Sequence, residues 1–490
     1  MTACAITVDD EHGTAAQYAD TAAIPPRSRS QLAALADAVT ASTARRVPAG
    51  GGAQRVAGAV NASYAEFLAA KVQRAETRGP VVADSDVHPF LHRWQRDIVR
   101  WAVRTGCAAI WADTGLGKTV MQLEWARLSG RRTLILAPLA VCHQTVREGA
   151  KLGLAPRYLR QDDGQPGIAV TNYEISDHFD AGAFDAVVLD ESSVIKDVTT
   201  KTRDRLIAQF AGTPRKLDCS ATPAPNDLAE LANHAEFLGV STRREMLSTY
   251  FVHDQDGWRV KGHARGPMFR WMASWALAIR RPSDLGYPDG QYELPALDIR
   301  SDLLEVDVVP DGQLFATDLG GVGGRARVRR ATMAARCARA VDLITSDPDE
   351  PWIAWCGLND EAREIARAVP GAVNVEGSWS PEDKAAAFLG FADGSVRVLV
   401  TKPSIAAMGL NWQHCARMTF VGLGDSYESY YQAIRRCWRY GQSRPVVVHV
   451  VLSELEAQIA VNVRRKESEA ARLTDALISE MRAADTWRAA

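Results

Sequence analysis

The stretch "WADTGLGKTV", residues 111–120, decides how the rest of the chain is read. Gly115 and Gly117 allow a tight backbone turn and a close approach to phosphate oxygens. The N–H groups of that turn, and of the helix that follows, then face an anion. Lys118 would reach the β- and γ-phosphates of a nucleotide, and the Thr119 hydroxyl would ligate Mg²⁺. The first position of the usual pattern is Ala112 rather than Gly. The context fits: "CAAIWA" before the loop has the apolar character of a strand, and "TVMQLEWARL" after it reads as a helix. Kinases, motors and switches can all carry such a loop, so its use has to come from other residues.

"DAVVLDESS" is the second half of such a site. It is an apolar strand ending in Asp190, placed to hold Mg²⁺ through its outer shell, and Glu191, placed to orient and deprotonate water. An acid beside the metal acid suits hydrolysis better than transfer to a bound acceptor. Upstream, in "LHRWQRDIV", the amide of Gln95 could grip both the donor and the acceptor of an adenine edge. Far downstream, "QAIRRCWRYGQ" puts Arg436 and Arg439 three residues apart, a spacing expected to place them on one helix face. Arginines there can act as fingers on a γ-phosphate when two lobes close.

The 490 residues exceed one ordinary core, so two or more domains are expected. Net charge is -2, so a nucleic-acid surface must be a local patch. No long uncharged apolar run suggests a membrane span, and "MTACAITVDDEHGT" has no secretory pattern, so a cytoplasmic protein is expected. The 8 cysteines include no C-x-x-C pair and read as buried thiols rather than disulfides or a zinc site.

The fold class expected is α/β: two tandem parallel-sheet lobes, an intervening helical segment and one long C-terminal helix. Residues 1–85 read as a flexible arm with a short helix at "ASYAEFLAAKVQRAE". Residues 86–235 form the ATP-binding lobe, with strands at "CAAIWA", "RTLILAP", "GIAVTNY" and "DAVVLDE". Residues 236–325 form a helical segment and linker, and strands fade from Asn226 to about Arg300. Residues 326–453 form the second lobe, with "PWIAWCG", "GAVNVEG", "VRVLVT", "MTFVGLG" and "PVVVHVV" as strands, and 454–490 a closing helix. The aromatic set Trp258, Phe269, Trp271 and Trp275 reads as helical core rather than a base-stacking platform.

In order, Gln95, "ADTGLGKT", "APLAVCHQ", "TNYE", "DESSVIKD", "SATPAPNDLAEL", "MGLN" and "QAIRRCWRYGQ" resemble the motif series of superfamily-two (DEAD/DEAH-box) helicases. The resemblance is closest to the Swi/Snf-type duplex-DNA translocases, in the compact form carried by phages and prophages. It spans about Val87 to Leu473. It implies two RecA-like lobes closed by a C-terminal brace helix, with ATP and Mg²⁺ as cofactors. Gln95, Gly115, Gly117, Lys118, Thr119, Gly409 and Gln432 would lie at the nucleotide, with Thr119 and Asp190 at the metal. Lys118, Glu191, Arg436 and Arg439 would carry hydrolysis, and Ser220 and Thr222 would couple the nucleotide site to DNA. Pro138 and Asn172, from "APLAV" and "TNYE", would touch the tracked strand together with Lys402. Arg259, Lys261, Arg265, Arg270, Arg325, Arg327, Arg329 and Arg330 are candidate DNA-side cations. Ser193 stands where the family often has His, which puts the usual link from the acid box to the coupling motif in doubt. Ala406 and Ala407 replace paired glycines.

The function expected is a DNA-dependent ATPase that tracks along duplex DNA as a monomer. A restriction–modification or phage DNA-processing motor, with a nuclease or methyltransferase partner, is a second reading. A nucleotide-gated DNA clamp is a third. RNA unwinding and small-molecule kinase activity fit less of the chain, since a kinase would not need the Arg pair of the second lobe.

Overall fold

The computed structural model describes residues 75–255, 257–305, 328–406, 411–424 and 426–484. The expectations for the arm through residue 74, for Arg325 and Arg327, and for Ala407 and Gly409 lie outside them.

Fifteen strands build two parallel sheets and one hairpin among the described residues. The first sheet takes β1 (Cys107–Ala112), β2 (Arg132–Ala137), β3 (Arg157–Tyr158), β4 (Gly167–Asn172), β5 (Ala186–Asp190) and β6 (Arg215–Cys219). The hairpin is β7 (Phe251–Asp254) with β8 (Gly257–Val260), and β9 (Ala276–Ile279) returns to the first sheet. Its order is β3-β4-β2-β5-β6-β1-β9. The second sheet contains β10 (Leu297–Leu304), β11 (Trp352–Cys356), β12 (Ala372–Asn374), β13 (Val398–Thr401), β14 (Arg417–Val421) and β15 (Val446–Ser453). Its order is β10-β15-β14-β11-β13-β12.

The unbroken apolar runs follow from this layering. A parallel sheet is covered on both faces, so successive residues of a strand serve opposite cores. Ala109 and Trp111 of β1 pack with Phe237 and Trp275 on one face, while Ala108 and Ile110 join Ile98 and Trp125 on the other. In the second lobe, Ile353 and Trp355 face Phe388 and Trp412, and Trp352 and Ala354 face Ile344 and Ile365. Phe269, Trp271 and Trp275 are core residues, and Trp258 packs against that core from a half-buried position.

The stretch from Asn226 to Arg300 is not free of strands. Helices Leu231–Leu238, Arg243–Tyr250 and Arg265–Met272 alternate with the β7–β8 hairpin, and β9 and β10 belong to the two sheets. Both strands carry weak sequence signals for physical reasons. β9 is only "ALAI", lying between a Trp-rich helix and two arginines. β10 is an edge strand on which Asp298, Arg300 and Ser301 are exposed, so charged and polar residues interrupt its apolar pattern.

The helix Ala457–Ala484 is the brace. Ile459 and Val463 pack in the core of the second lobe, whereas Leu473 and Leu477 belong to that of the first. Met481 lies in the other core of the first lobe, where its sulfur accepts the Ala278 N–H at 3.4 Å. No described helix is long and apolar enough to cross a membrane. The seven described cysteines are buried and free.

Candidate active site at the lobe interface

Parallel register brings the C-terminal ends of β1, β5 and β6 to one edge, because Ile110 pairs with Cys219 and Cys219 with Asp190. The phosphate loop, Asp190-Glu191 and Ser220 all leave the sheet there, the usual ligand edge of an open α/β sheet. A cleft of about 830 Å³ opens over it, lined by Lys118, Thr119, Asp190 and Glu191 from the first lobe and by Gln432, Arg435, Arg436 and Arg439 from the second.

The loop glycines are there for stated reasons. Gly115 has φ 90°, and a Cβ there would come within 3.0 Å of the Tyr440 side chain of the second lobe. Gly117 has φ 76°, and a Cβ there would lie 2.6 Å from Gln95 Nε2. Gln95 is buried, with Nε2 donating to the Leu116 carbonyl and Oε1 accepting from His92 N–H, both at 2.9 Å. It braces the loop from behind the cleft lining, and these two bonds use one N–H and one lone pair of its amide. Beside it Tyr292 stacks on Tyr440, with centroids 4.3 Å apart, and meets His92 and Trp94 edge-on. Neither tyrosine was singled out from the sequence.

Lys118 Nζ donates to the Ala112 carbonyl at 3.0 Å, across the mouth of the loop. Asp190 receives Gln122 Nε2 at 2.7 Å on Oδ1, and its carbonyl receives the Tyr173 hydroxyl at 2.7 Å. Burial pushes the Asp190 carboxyl up, against the Gln122 hydrogen bond and Lys118, which pull it down. Among the described residues only Glu191 is a non-glycine with positive φ, at 55°. Such a backbone costs of order 1–3 kcal/mol and persists where its surroundings enforce it. Burial is the main cause that raises the Glu191 carboxyl, with Asp190 and Glu428 adding and Lys118 and Arg436 opposing.

Arg436 and Arg439 do not share a helix face. The helix Tyr427–Ile434 ends before them, and the chain continues in tight turns, with Arg436 N–H on the Ala433 carbonyl and Cys437 N–H on the Ile434 carbonyl. Buried Cys437 and the bond from Trp438 Nε1 to the Pro295 carbonyl, 2.8 Å, draw the turn into the second lobe. Both arginines still line the cleft, joined by Arg435, which sequence reasoning passed over. Arg435 Nη2 reaches Asp113 Oδ2 at 2.7 Å and the Thr114 carbonyl at 3.0 Å, and the Tyr431 hydroxyl bonds the same Asp113. Burial lowers Arg439 to about 10, helped by Arg436 and Arg435.

The residues present fit a nucleotide triphosphate with Mg²⁺. Glu191 Oε2, Arg435 Nε and Nη1, and Arg439 Nε are buried without a protein partner, and a polar ligand is what satisfies such atoms. Thr119 and Asp190 offer hard oxygen ligands. Among the described residues no group of three or more His, Cys, Asp or Glu side chains could hold a metal, and Mg²⁺ commonly takes one or two protein oxygens plus phosphates.

Ser220 Oγ accepts Thr222 N–H at 3.0 Å, and Thr222 Oγ1 lies 3.5 Å from Glu428 of the second lobe, which also pairs with Lys196. Pro138 and Asn411 line the cleft. Asn172 is buried, its amide committed to Tyr158 and Glu174, so it is not open to a strand. Lys402 is half-buried after β13. Of the candidate DNA-side cations, Arg259 pairs with Asp254, Arg270 with Glu480, and Lys261 caps the carbonyls of Ser248 and Thr249. Arg329 is held inside the second lobe by Glu456 and the Leu423 carbonyl. Arg265 lies over Phe269, and Arg330, which follows Arg329, is exposed.

Comparison with known proteins bears on the second lobe most directly. Residues 337–441 match the family model described as "Helicase conserved C-terminal domain". The Sulfolobus solfataricus SWI2/SNF2 ATPase core, solved in complex with dsDNA, aligns at 16% identity and TM-score 0.40 over 83% of this chain and 96% of its own. A fragment described as an HsdR subunit of a type I restriction enzyme from Vibrio vulnificus aligns at 14% identity and TM-score 0.49, over 77% of this chain and 67% of its own. No curated protein matches the chain. The second lobe thus resembles the C-terminal domain of helicases, and its match runs through all three cleft arginines.

Proposed function

We propose that the chain is an ATP-driven motor that tracks along duplex DNA. The observation that carries this reading is the opposition of charges across the cleft: Lys118, Asp190 and Glu191 on one lobe, Arg435, Arg436 and Arg439 on the other. Phosphoryl transfer to water asks for little else: cations on the phosphates, a base for the water, and exclusion of solvent.

In this reading Lys118 and the N–H groups of the phosphate loop hold the phosphates, and Gln95 touches the adenine edge with its free N–H. Glu191 orients and deprotonates water. Mg²⁺, held by Thr119 and Asp190, neutralises phosphate charge when bound. Arg436 and Arg439 sense the γ-phosphate, so nucleotide favours the closed cleft and hydrolysis releases it. Ser220 and Thr222 report that state to Glu428. Pro138 and Lys402 face the DNA backbone, a grip that is salt-sensitive and indifferent to sequence. The protein acts as a cytoplasmic monomer.

The test is ATP hydrolysis at fixed salt with no nucleic acid, duplex DNA, single-stranded DNA or RNA, beside Glu191→Gln. Stimulation by duplex that Glu191→Gln abolishes supports the reading. Equal rates with every nucleic acid contradict it.

A further inference from the structure

A buried histidine bridges the segment after Glu191 and the Ser220–Thr222 segment from another element. His234, on the helix Leu231–Leu238, is wholly buried. Its Nδ1 lies 2.6 Å from Asp218 Oδ2 and its Nε2 lies 2.7 Å from the Pro223 carbonyl. Asp218, also fully buried on β6, receives the Ser192 hydroxyl and Trp111 Nε1 on its other oxygen. The Trp111 ring meets the imidazole edge-on, with centroids 5.8 Å apart.

These contacts form a line. Ser192 follows Glu191, Asp218 joins Ser192 to His234, and His234 holds Pro223, the neighbour of Thr222. Thr222 in turn meets Glu428 of the second lobe. A carbonyl can only accept, so Nε2 donates to Pro223, and with Asp218 ionised Nδ1 donates as well. The ring is then an imidazolium set against a carboxylate. Burial alone would lower its pKa, but the charge and hydrogen bond of Asp218, the Pro223 carbonyl and nearby Glu230 raise it overall. A buried ion pair is costly to assemble, and replacing such a pair by apolar groups is often neutral or stabilising. Its presence here fits a positional task rather than a stabilising one.

We propose that His234 is a positioning residue that, anchored by Asp218, transmits the state of the Glu191 box to the Ser220–Thr222 segment and so to the second lobe. The role rests on the motor reading above, whereas the ring geometry does not. Three measurements on the full chain test it. Nitrogen NMR of the histidine rings at pH 8, assigned by loss of one signal in His234→Gln, is expected to show one ring protonated at both nitrogens. A singly protonated ring overturns the proposal whatever the ATPase does. Second, His234→Gln is expected to keep hydrolysis without nucleic acid within about threefold while duplex stimulation falls at least tenfold. Stimulation equal to wild type overturns it. Third, Ser192→Ala, which leaves the ion pair in place, covers the case where His234→Gln fails to fold. It is expected to lose stimulation in the same direction, and unchanged stimulation overturns the link. If wild-type hydrolysis responds to no nucleic acid, the motor reading fails, and the transmitting role with it, independently of what the ring shows.

Discussion

Arg435 of the second lobe forms a 2.7 Å ion pair with Asp113 of the phosphate loop, and the guanidinium is almost wholly buried. Tyr431, one helical turn earlier, bonds the same carboxylate. The two lobes are therefore tied through the loop itself, with the rings of Tyr431 and Trp438 near the guanidinium. Charged hydrogen bonds of this kind are worth about 1.5–3 kcal/mol. Arg435→Gln should weaken closure by that order, raising KM for ATP roughly tenfold or more while kcat falls less. Steady-state kinetics over a range of ATP concentrations check it, and a pure kcat effect would mean that Arg435 acts on the transition state instead.

Glu191 combines a raised carboxyl with a left-handed backbone. Glu191→Gln should cut kcat by about 10²–10⁴ while nucleotide still binds, as expected of a lost general base. Glu191→Asn should be equally inactive yet more stable than Glu191→Gln by about 1 kcal/mol, since Asn tolerates the left-handed region. Chemical denaturation of the two variants compares the backbone contribution directly.

The pH dependence follows from the same carboxyl. Its folded pKa lies above the ordinary value of about 4.3, so the ionised base appears only at higher pH, and the acid limb of kcat should sit above that value. Stability runs the other way. The contribution of a raised carboxyl is full below the unfolded pKa and is lost as pH rises through the folded one. Glu428 raises the Glu191 carboxyl, so Glu428→Gln should move the acid limb to lower pH. Arg436 lowers it, so Arg436→Gln should move the limb of the residual activity to higher pH. A pH–rate profile in which both variants shift the same way would contradict this electrostatic account.

The brace helix joins the lobes by side chains that serve different cores. Leu477 is fully buried in the core of the first lobe, while Ile459 at the other end packs in the second. Leu477→Ala should cost about 2–5 kcal/mol by removing buried volume, read as a lower denaturant midpoint.

Much of this is legible in the sequence. β1 is apolar throughout, and β2 and β5 are apolar but for Arg132 and Thr133 at one start and Asp190 at one end, because both faces are buried, and "DTGLG" sits between a strand and a helix. β6 was harder to see because "RKLDC" carries charges that reach internal partners: Lys216 Nζ finds the Phe237 carbonyl at 2.9 Å, and Asp218 finds His234. Pairing of that kind links residues distant in the chain, so no periodicity reports it. Arg435 was hidden for the same reason, since its partner Asp113 lies in the other lobe. The Arg436–Arg439 spacing suggested a helix face, but tertiary anchoring of Cys437 and Trp438 ended the helix first.

The most direct test of the motor reading is displacement of a third strand from a DNA triplex, with the duplex arm extended on one side as a loading site. The account predicts ATP-dependent displacement by the wild type, none by Glu191→Gln, and none when a non-hydrolysable analogue replaces ATP. A wild type that hydrolyses ATP in response to duplex yet leaves the third strand bound would contradict translocation, and the nucleotide-gated clamp would take its place.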